Sequence, residues 1–276
     1  MPGPPGGNLS LPELAAKLCT QGPVKQEPAN RRVRGVLGGI WVFDTLEAQY
    51  VWEHPYFPFF YIPIRALTGV SVDIEEKQDP SRGFSIANLV LSGHGPGLKS
   101  AKAIVFEGGP LDGLVKIPHG SLDAWYVEDE KLLGIHPKDP YRRVDCHASS
   151  REIRIEVDSA IIAESRNNVF LYETGLRPRY YLSPSAIMGQ SIILPDSAGP
   201  IDETHVGAFL IPSKTSTVCP YKGQASYYHL VVRGKTIEDV AWYYTYPTPE
   251  SAPIRNMVCF YNEKVDVFVD GEKEER

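Results

Sequence analysis

Between Arg32 and Val269 the chain alternates short apolar runs with turn residues, and the runs have a period of two rather than the helical spacing of three and four. Ile153-Arg-Ile-Glu-Val157 followed by Asp158-Ser159 and Ala160-Ile-Ile162 predicts a hairpin over 153–162. Val169–Tyr172 and Tyr180–Leu182 read as strands on either side of a Gly175…Pro178 bend. Tyr227–Val232 and Ile237–Tyr244 flank Arg233-Gly234-Lys235 as a second hairpin, and Met257–Tyr261 and Val265–Val269 flank Asn262-Glu263-Lys264 as a third. No strand–helix alternation of the parallel kind is visible. The expected fold is therefore all-β, built of small twisted antiparallel barrels or sandwiches. One helix is expected, opened by Ser10-Leu11-Pro12-Glu13 as a capping box and running to about Thr20. A loose stretch should follow it to Asn30.

The same pattern occurs twice. Arg34–Thr45 lies over Arg154–Ser165 without a gap, and the register then places Glu53 on Glu173, Pro58 on Pro178 and Tyr61 on Tyr181. A second ungapped block sets Pro110-Leu111 over Pro253-Ile254, Val115 over Val258, Asp123 over Asp266 and Trp125 over Phe268. The offset is 120 in the first block and 143 in the second, so the second copy carries 143 − 120 = 23 extra residues in its middle. Two blocks in the same order point to duplication. The expected organisation is an extension over 1–30, a degenerate first β-domain over 31–140 and a second over 141–276.

Composition narrows the partners. The formal charge of −6 arises from 28 basic and 34 acidic residues without a Lys/Arg stripe, which argues against nucleic acid. No apolar run approaches the roughly 20 residues needed to span a bilayer, and the N-terminus lacks the form of a secretory signal. No membrane partner and a cytoplasmic location are expected. Cys19, Cys146, Cys219 and Cys259 are isolated and form no Cys-x-x-C pair, so free thiols and no metal are expected. No dinucleotide fingerprint or Ser-His-Asp elbow occurs, and no cofactor is expected. Gly93–Ser100 only superficially resembles a phosphate loop and reads as a plain loop. Asp145-Cys146-His147 reads as linker, since adjacent strand residues face opposite ways.

The segment that the first copy lacks holds the densest chemistry. Cys219-Pro-Tyr-Lys-Gly223 enters a strand at Ala225-Ser226-Tyr227, offering a thiol, an amine and a phenol within one turn. His229, two residues beyond Tyr227, shares its face in a regular strand, and His205 is a further acid/base candidate. Here the chain resembles the domain-of-unknown-function family 427, labelled nucleotidyltransferase-like. The resemblance rests on Glu173-Thr-Gly175, Pro178 and Tyr181-Leu182, on Cys219–Gly223 with Ala225–Tyr227, on Ala241-Trp242, and on Phe260-Tyr261 with Val265–Val267. It covers about 151–271 and implies a compact twisted β-domain, with the chain as a two-copy member. No pair of metal-binding carboxylates stands beside a Gly-Ser turn, as nucleotidyl transfer usually needs.

Two functions fit these residues. The first is a metal-free enzyme acting on a small organic molecule by acid/base chemistry (isomerisation, elimination or cyclisation), with a place in biosynthesis. Lys222, Tyr227, Glu173, Cys219 and His229 would be catalytic, with Tyr181, Tyr221, Trp242 and Tyr244 binding the substrate. The second is a non-catalytic small-molecule-binding module using the same aromatics, and the family label adds nucleotidyl transfer. Lys222→Met and Tyr227→Phe should then remove function with little effect on melting temperature. The sequence leaves the substrate and the oligomeric state open.

Overall fold

The computed structural model of the chain describes residues 9–75, 82–93, 99–187 and 208–275. The chain divides into two compact units, Met1–Asp139 and Pro140–Arg276. In the first unit, helix α1 (Leu11–Gln21) precedes β1 (Lys25–Pro28), β2 (Val33–Leu37), β3 (Ile40–Thr45), β4 (Gln49–Trp52), β5 (Phe59–Pro63) and β6 (Val70–Ile74). It continues with β7 (Phe84–Leu91), β8 (Ser100–Phe106), β9 (Leu114–Lys116), β10 (Ala124–Val127) and β11 (Glu130–Lys131). The second unit holds β12 (Val144–Ser149), β13 (Ile153–Val157), β14 (Ala160–Ser165), β15 (Asn168–Glu173), β16 (Arg179–Leu182) and β17 (Ala208–Cys219). Then come β18 (Gly223–Val232), β19 (Lys235–Pro247), β20 (Val258–Phe260), β21 (Asp266–Val269) and β22 (Glu272–Lys273).

Each unit is a seven-stranded sheet with a four-stranded one. The first unit has the orders β1-β4-β5-β9-β8-β7-β6 and β11-β10-β2-β3. The second has β12-β15-β16-β20-β19-β18-β17 and β14-β13-β21-β22. The two units are thus built on one strand order, open at the sheet edges rather than closed as barrels. The residues matched in sequence occupy matching places: Glu53 follows β4 as Glu173 ends β15, and Tyr61 lies on β5 as Tyr181 lies on β16.

Alternation along the strands fills one core between the two sheets of each unit. In the second unit Ile153, Ile155, Phe170, Leu182, Leu230, Phe260 and Val267 meet there, and in the first Val33, Phe43, Tyr50, Ile62, Leu89 and Trp125 do. The opposite face of each large sheet carries a second apolar cluster. In the first unit α1 lays Ala15 and Leu18, both fully buried, over Val51, Tyr61, Ile86, Ile104 and Phe106. Its start is the expected capping box, with Glu13 accepting from the Ser10 backbone N–H at 2.8 Å. In the second unit the equivalent face presents Leu171, Tyr181, Tyr227, Trp242, Tyr244 and Cys259. Among the described residues no helix there takes the part of α1.

Three expectations need correction. The stretch after α1 is not loose, because Lys25–Pro28 adds an edge strand to β4. Asp145-Cys146-His147 is no linker; it lies in β12, pairing with β15 as β1 pairs with β4. Met257–Tyr261 and Val265–Val269 do not form a hairpin, since β20 pairs with β16 and β19 while β21 pairs with β13 in the other sheet. The intervening Asn262–Lys264 turn is a sheet-to-sheet crossing. Val265 and Val267 point into the inter-sheet core, which draws the chain across.

Candidate functional site

The Cys219–Gly223 segment is a tight β17–β18 hairpin in which Cys219 pairs with Gly223. Gly223 sits at φ 102°, and a Cβ there would lie 2.9 Å from the Tyr246 carbonyl oxygen, so the close approach to β19 demands glycine. The turn is tied down from the other side. The Thr248 backbone N–H donates to the Lys222 carbonyl at 3.1 Å, and the Thr248 and Ser251 hydroxyls donate to the Tyr221 carbonyl at 2.5 and 3.4 Å.

This anchoring turns the Lys222 side chain inward, where its Nζ pairs with Glu173 Oε2. Both residues are buried, at 6 and 8 % exposure. Arg142 approaches the other carboxylate oxygen at 3.9 Å and donates to the Thr174 carbonyl at 3.0 Å. The pair sits on the aromatic face of the large sheet. Tyr181 is fully buried there and accepts a hydrogen bond from Trp242 Nε1 at 3.0 Å. Tyr244 lies near Glu173 and Cys219, and burial holds its phenol well above the ordinary tyrosine range, so it is a hydrogen-bond donor and not an anion. Burial likewise raises the Cys146 thiol, against the opposing influence of Lys222, and pushes Cys259 up to about 12. These two thiols are neutral at physiological pH, which removes them as ready nucleophiles.

The far side of the face is a cation–aromatic cluster. Trp242 and Tyr261 stand 4.4 Å apart, and the Arg179 guanidinium lies 5.5 and 5.7 Å from their ring centres while pairing with Glu263 at 3.0 Å. The Tyr227 hydroxyl bonds Thr217 Oγ1 at 2.8 Å and the Tyr261 phenol.

Of the residues singled out from the sequence, Lys222 and Glu173 meet directly. Tyr181, Tyr227, Trp242 and Tyr244 share one cluster with them at its edge, and Cys219 and Tyr221 frame the turn. Tyr227 spends its hydroxyl on Thr217 and Tyr261. His229 stands apart: its Nδ1 accepts from the Asp239 backbone N–H at 3.0 Å and lies 3.6 Å from that carboxylate. His229 keeps the alternation of β18 and so shares the face of Tyr227, but the β19 bulge over 238–240 lies opposite it and its ring is taken up by Asp239 rather than by the Lys222–Glu173 pair. His205 and most of the Gly93–Ser100 segment lie outside the described residues. Sequence reasoning missed Arg142, Arg179 and Tyr261, whose roles depend on strands far apart in the chain. Among the described residues no three His, Cys, Asp or Glu side chains converge to hold a metal ion. No helix among them is long and apolar enough to cross a membrane.

A second ion pair occurs in the first unit. Lys116 Nζ pairs with Glu53 Oε1, and the Tyr61 hydroxyl donates to the same oxygen at 3.1 Å. Glu53 and Tyr61 were visible as the partners of Glu173 and Tyr181 in the ungapped block. Lys116 was not, because the residue aligned with it is Cys259.

Strand order and paired sheets define the second unit as an antiparallel two-sheet β-domain with a buried Lys–Glu pair at the rim of an aromatic face. Residues 145–271 match the family described as Domain of unknown function (DUF427). The second unit is therefore a DUF427 domain. A search of curated proteins finds no match to the chain.

Proposed function

We infer that the second unit holds a small, largely apolar organic molecule against its aromatic face and moves protons on it with Glu173 and Lys222, needing no metal or nucleotide for that step. The first unit, with the same strand order, is on this reading a diverged copy of the domain. The observation that carries the inference is the buried Lys222–Glu173 pair beside Tyr244, on a face otherwise made of Trp, Tyr and thiol. A carboxylate and an amine in mutual contact form a matched base and acid: when one gives a proton to a ligand, the other compensates the charge. Isomerisation, elimination or cyclisation through an enolate-like intermediate suits such a pair. A cytoplasmic role in biosynthesis would follow from that chemistry.

The competing reading is capture without turnover. It draws support from Tyr227, whose hydroxyl is already engaged by Thr217 and Tyr261, and from the separation of His229, which reduce the proton-transfer set to the pair. Deuterium exchange separates the two. Small aromatic ketones and β-keto acids are screened for binding by ligand-detected NMR in D2O, and exchange at the carbon next to the carbonyl is followed. The enzymatic reading expects catalysed exchange that Glu173→Gln abolishes. Binding without exchange favours capture, and the absence of binding would remove both.

A further inference from the structure

The first unit carries a more completely connected polar centre than the second. Lys116 is 4 % exposed and its side chain lies on β9 facing Glu53, with its Nζ 3.5 Å from the centre of the Phe59 ring. Tyr61, fully buried, donates its hydroxyl to the Glu53 carboxylate, whereas its counterpart Tyr181 accepts from Trp242. Lys17 on α1 donates to the Glu53 carbonyl at 3.1 Å, fixing the backbone of the carboxylate from above. The loop between β4 and β5 brings His54 beside Phe57 and Phe59, with ring centres at 4.5 and 5.9 Å. An amine, a carboxylate and a phenol are thus held in one hydrogen-bonded chain next to an aromatic loop.

We propose that Lys116 is a carbonyl-reactive amine that forms an imine with a small aromatic aldehyde or ketone, with Glu53 as its proton carrier and Tyr61 as the residue that positions Glu53. The ammonium first passes one proton to the Glu53 carboxylate. The amine lone pair then attacks the carbonyl carbon, and the N–C bond forms as the C=O π electrons move to oxygen. Glu53 shuttles a proton from nitrogen to that oxygen, giving a carbinolamine. It then delivers its remaining proton to the hydroxyl, which departs as water while nitrogen forms the C=N bond. The products are a protonated imine, water and the Glu53 carboxylate, so the buried cation–anion pair is restored at the end. Burial disfavours the ammonium of Lys116 more than Glu53 favours it, which raises the share of free amine. Burial raises the Tyr61 phenol well above its ordinary range, so it stays a donor to Glu53. The ligand enters by displacing the His54–Pro58 loop, whose Tyr56 is exposed.

The test is reductive trapping. The full chain is treated with benzaldehyde and sodium cyanoborohydride at pH 7, and the N-benzyl adducts are located by peptide mass spectrometry. Lys116 is expected to label at least about tenfold faster than exposed Lys99 and Lys102. Lys116→Arg, which keeps the cation, should remove the fast adduct, and Tyr61→Phe should slow it. Labelling of Lys116 no faster than at Lys99 and Lys102 overturns the proposal, as does an unchanged fast adduct count in Lys116→Arg. Lys222→Arg should leave the Lys116 adduct intact. Absence of catalysed deuterium exchange in the unaltered chain, with the Lys116 adduct retained, would therefore strike only the reading given for the second unit.

Discussion

The two units solve one problem twice with different residues. Each places a glutamate at the end of the same strand of its large sheet, and each neutralises it with a buried lysine. In the first unit the lysine stands on β9, two strands across, and in the second it comes from the β17–β18 turn. The packing shows the same substitution of means. Gly35 pairs with Phe43 across the β2–β3 hairpin, and the equivalent Ile155 pairs with Ala163, so large and small have changed places at a constant site. The outer face of the large sheet is covered by α1 in one unit and carries a buried aromatic cluster flanked by Arg179 in the other. What the fold requires is a neutralised carboxylate and a filled core; it does not prescribe which position supplies the partner.

The comparison breaks most sharply at the ion pairs. Lys116→Met and Lys222→Met each strand a buried carboxylate and should cost about 3–5 kcal/mol, whereas the double changes Glu53→Gln/Lys116→Met and Glu173→Gln/Lys222→Met should recover most of it. Denaturant melts of the four variants measure this; a Lys222→Met protein of unaltered stability would show that its pair is not formed. The burial of Lys222 thereby replaces the expectation from sequence that its substitution leaves the melting temperature unmoved. Next in size is the helix. Leu18→Ala removes a fully buried side chain and should cost about 3 kcal/mol, with hydrogen exchange accelerated in the first unit and unchanged in β12–β22.

The exchanged core volumes give a smaller and reversible effect. A Cβ on Gly35 would sit 2.3 Å from the Phe43 ring, so Gly35→Ala should destabilise by about 2 kcal/mol, and Phe43→Ala in the same chain should relieve the clash. If Gly35→Ala is neutral alone, the two hairpins are not exchanging volume. The smallest effect separates the units by acid. Burial lowers His119 to about 4, so between that value and about 6.5 the unfolded chain binds the proton that the folded one refuses. Its penalty is absent above pH 6.5 and fully developed below pH 4, about 2 kcal/mol after allowing for partial exposure. Hydrogen exchange in β9 and β10 should therefore quicken on acidification, and His119→Phe should remove that dependence.

Much of this was legible in the chain. Period-two runs and paired turn residues determined the strands, the capping box determined α1, and two ungapped blocks determined that Glu53 and Tyr61 answer to Glu173 and Tyr181. These features depend on neighbours in sequence, which is why they could be read there. The partner of each glutamate did not depend on neighbours. Lys116 and Lys222 lie 63 and 49 residues from their carboxylates, and they meet them only because the order of the large sheets folds distant strands side by side. The crossing at Asn262–Lys264 and the engagement of His229 by Asp239 were decided in the same way, by core packing between sheets and by a bulge in β19. Sequence set which groups could carry charge in each unit; sheet order and register decided which of them touch, because in an antiparallel sandwich the contacts that matter join strands far apart along the chain.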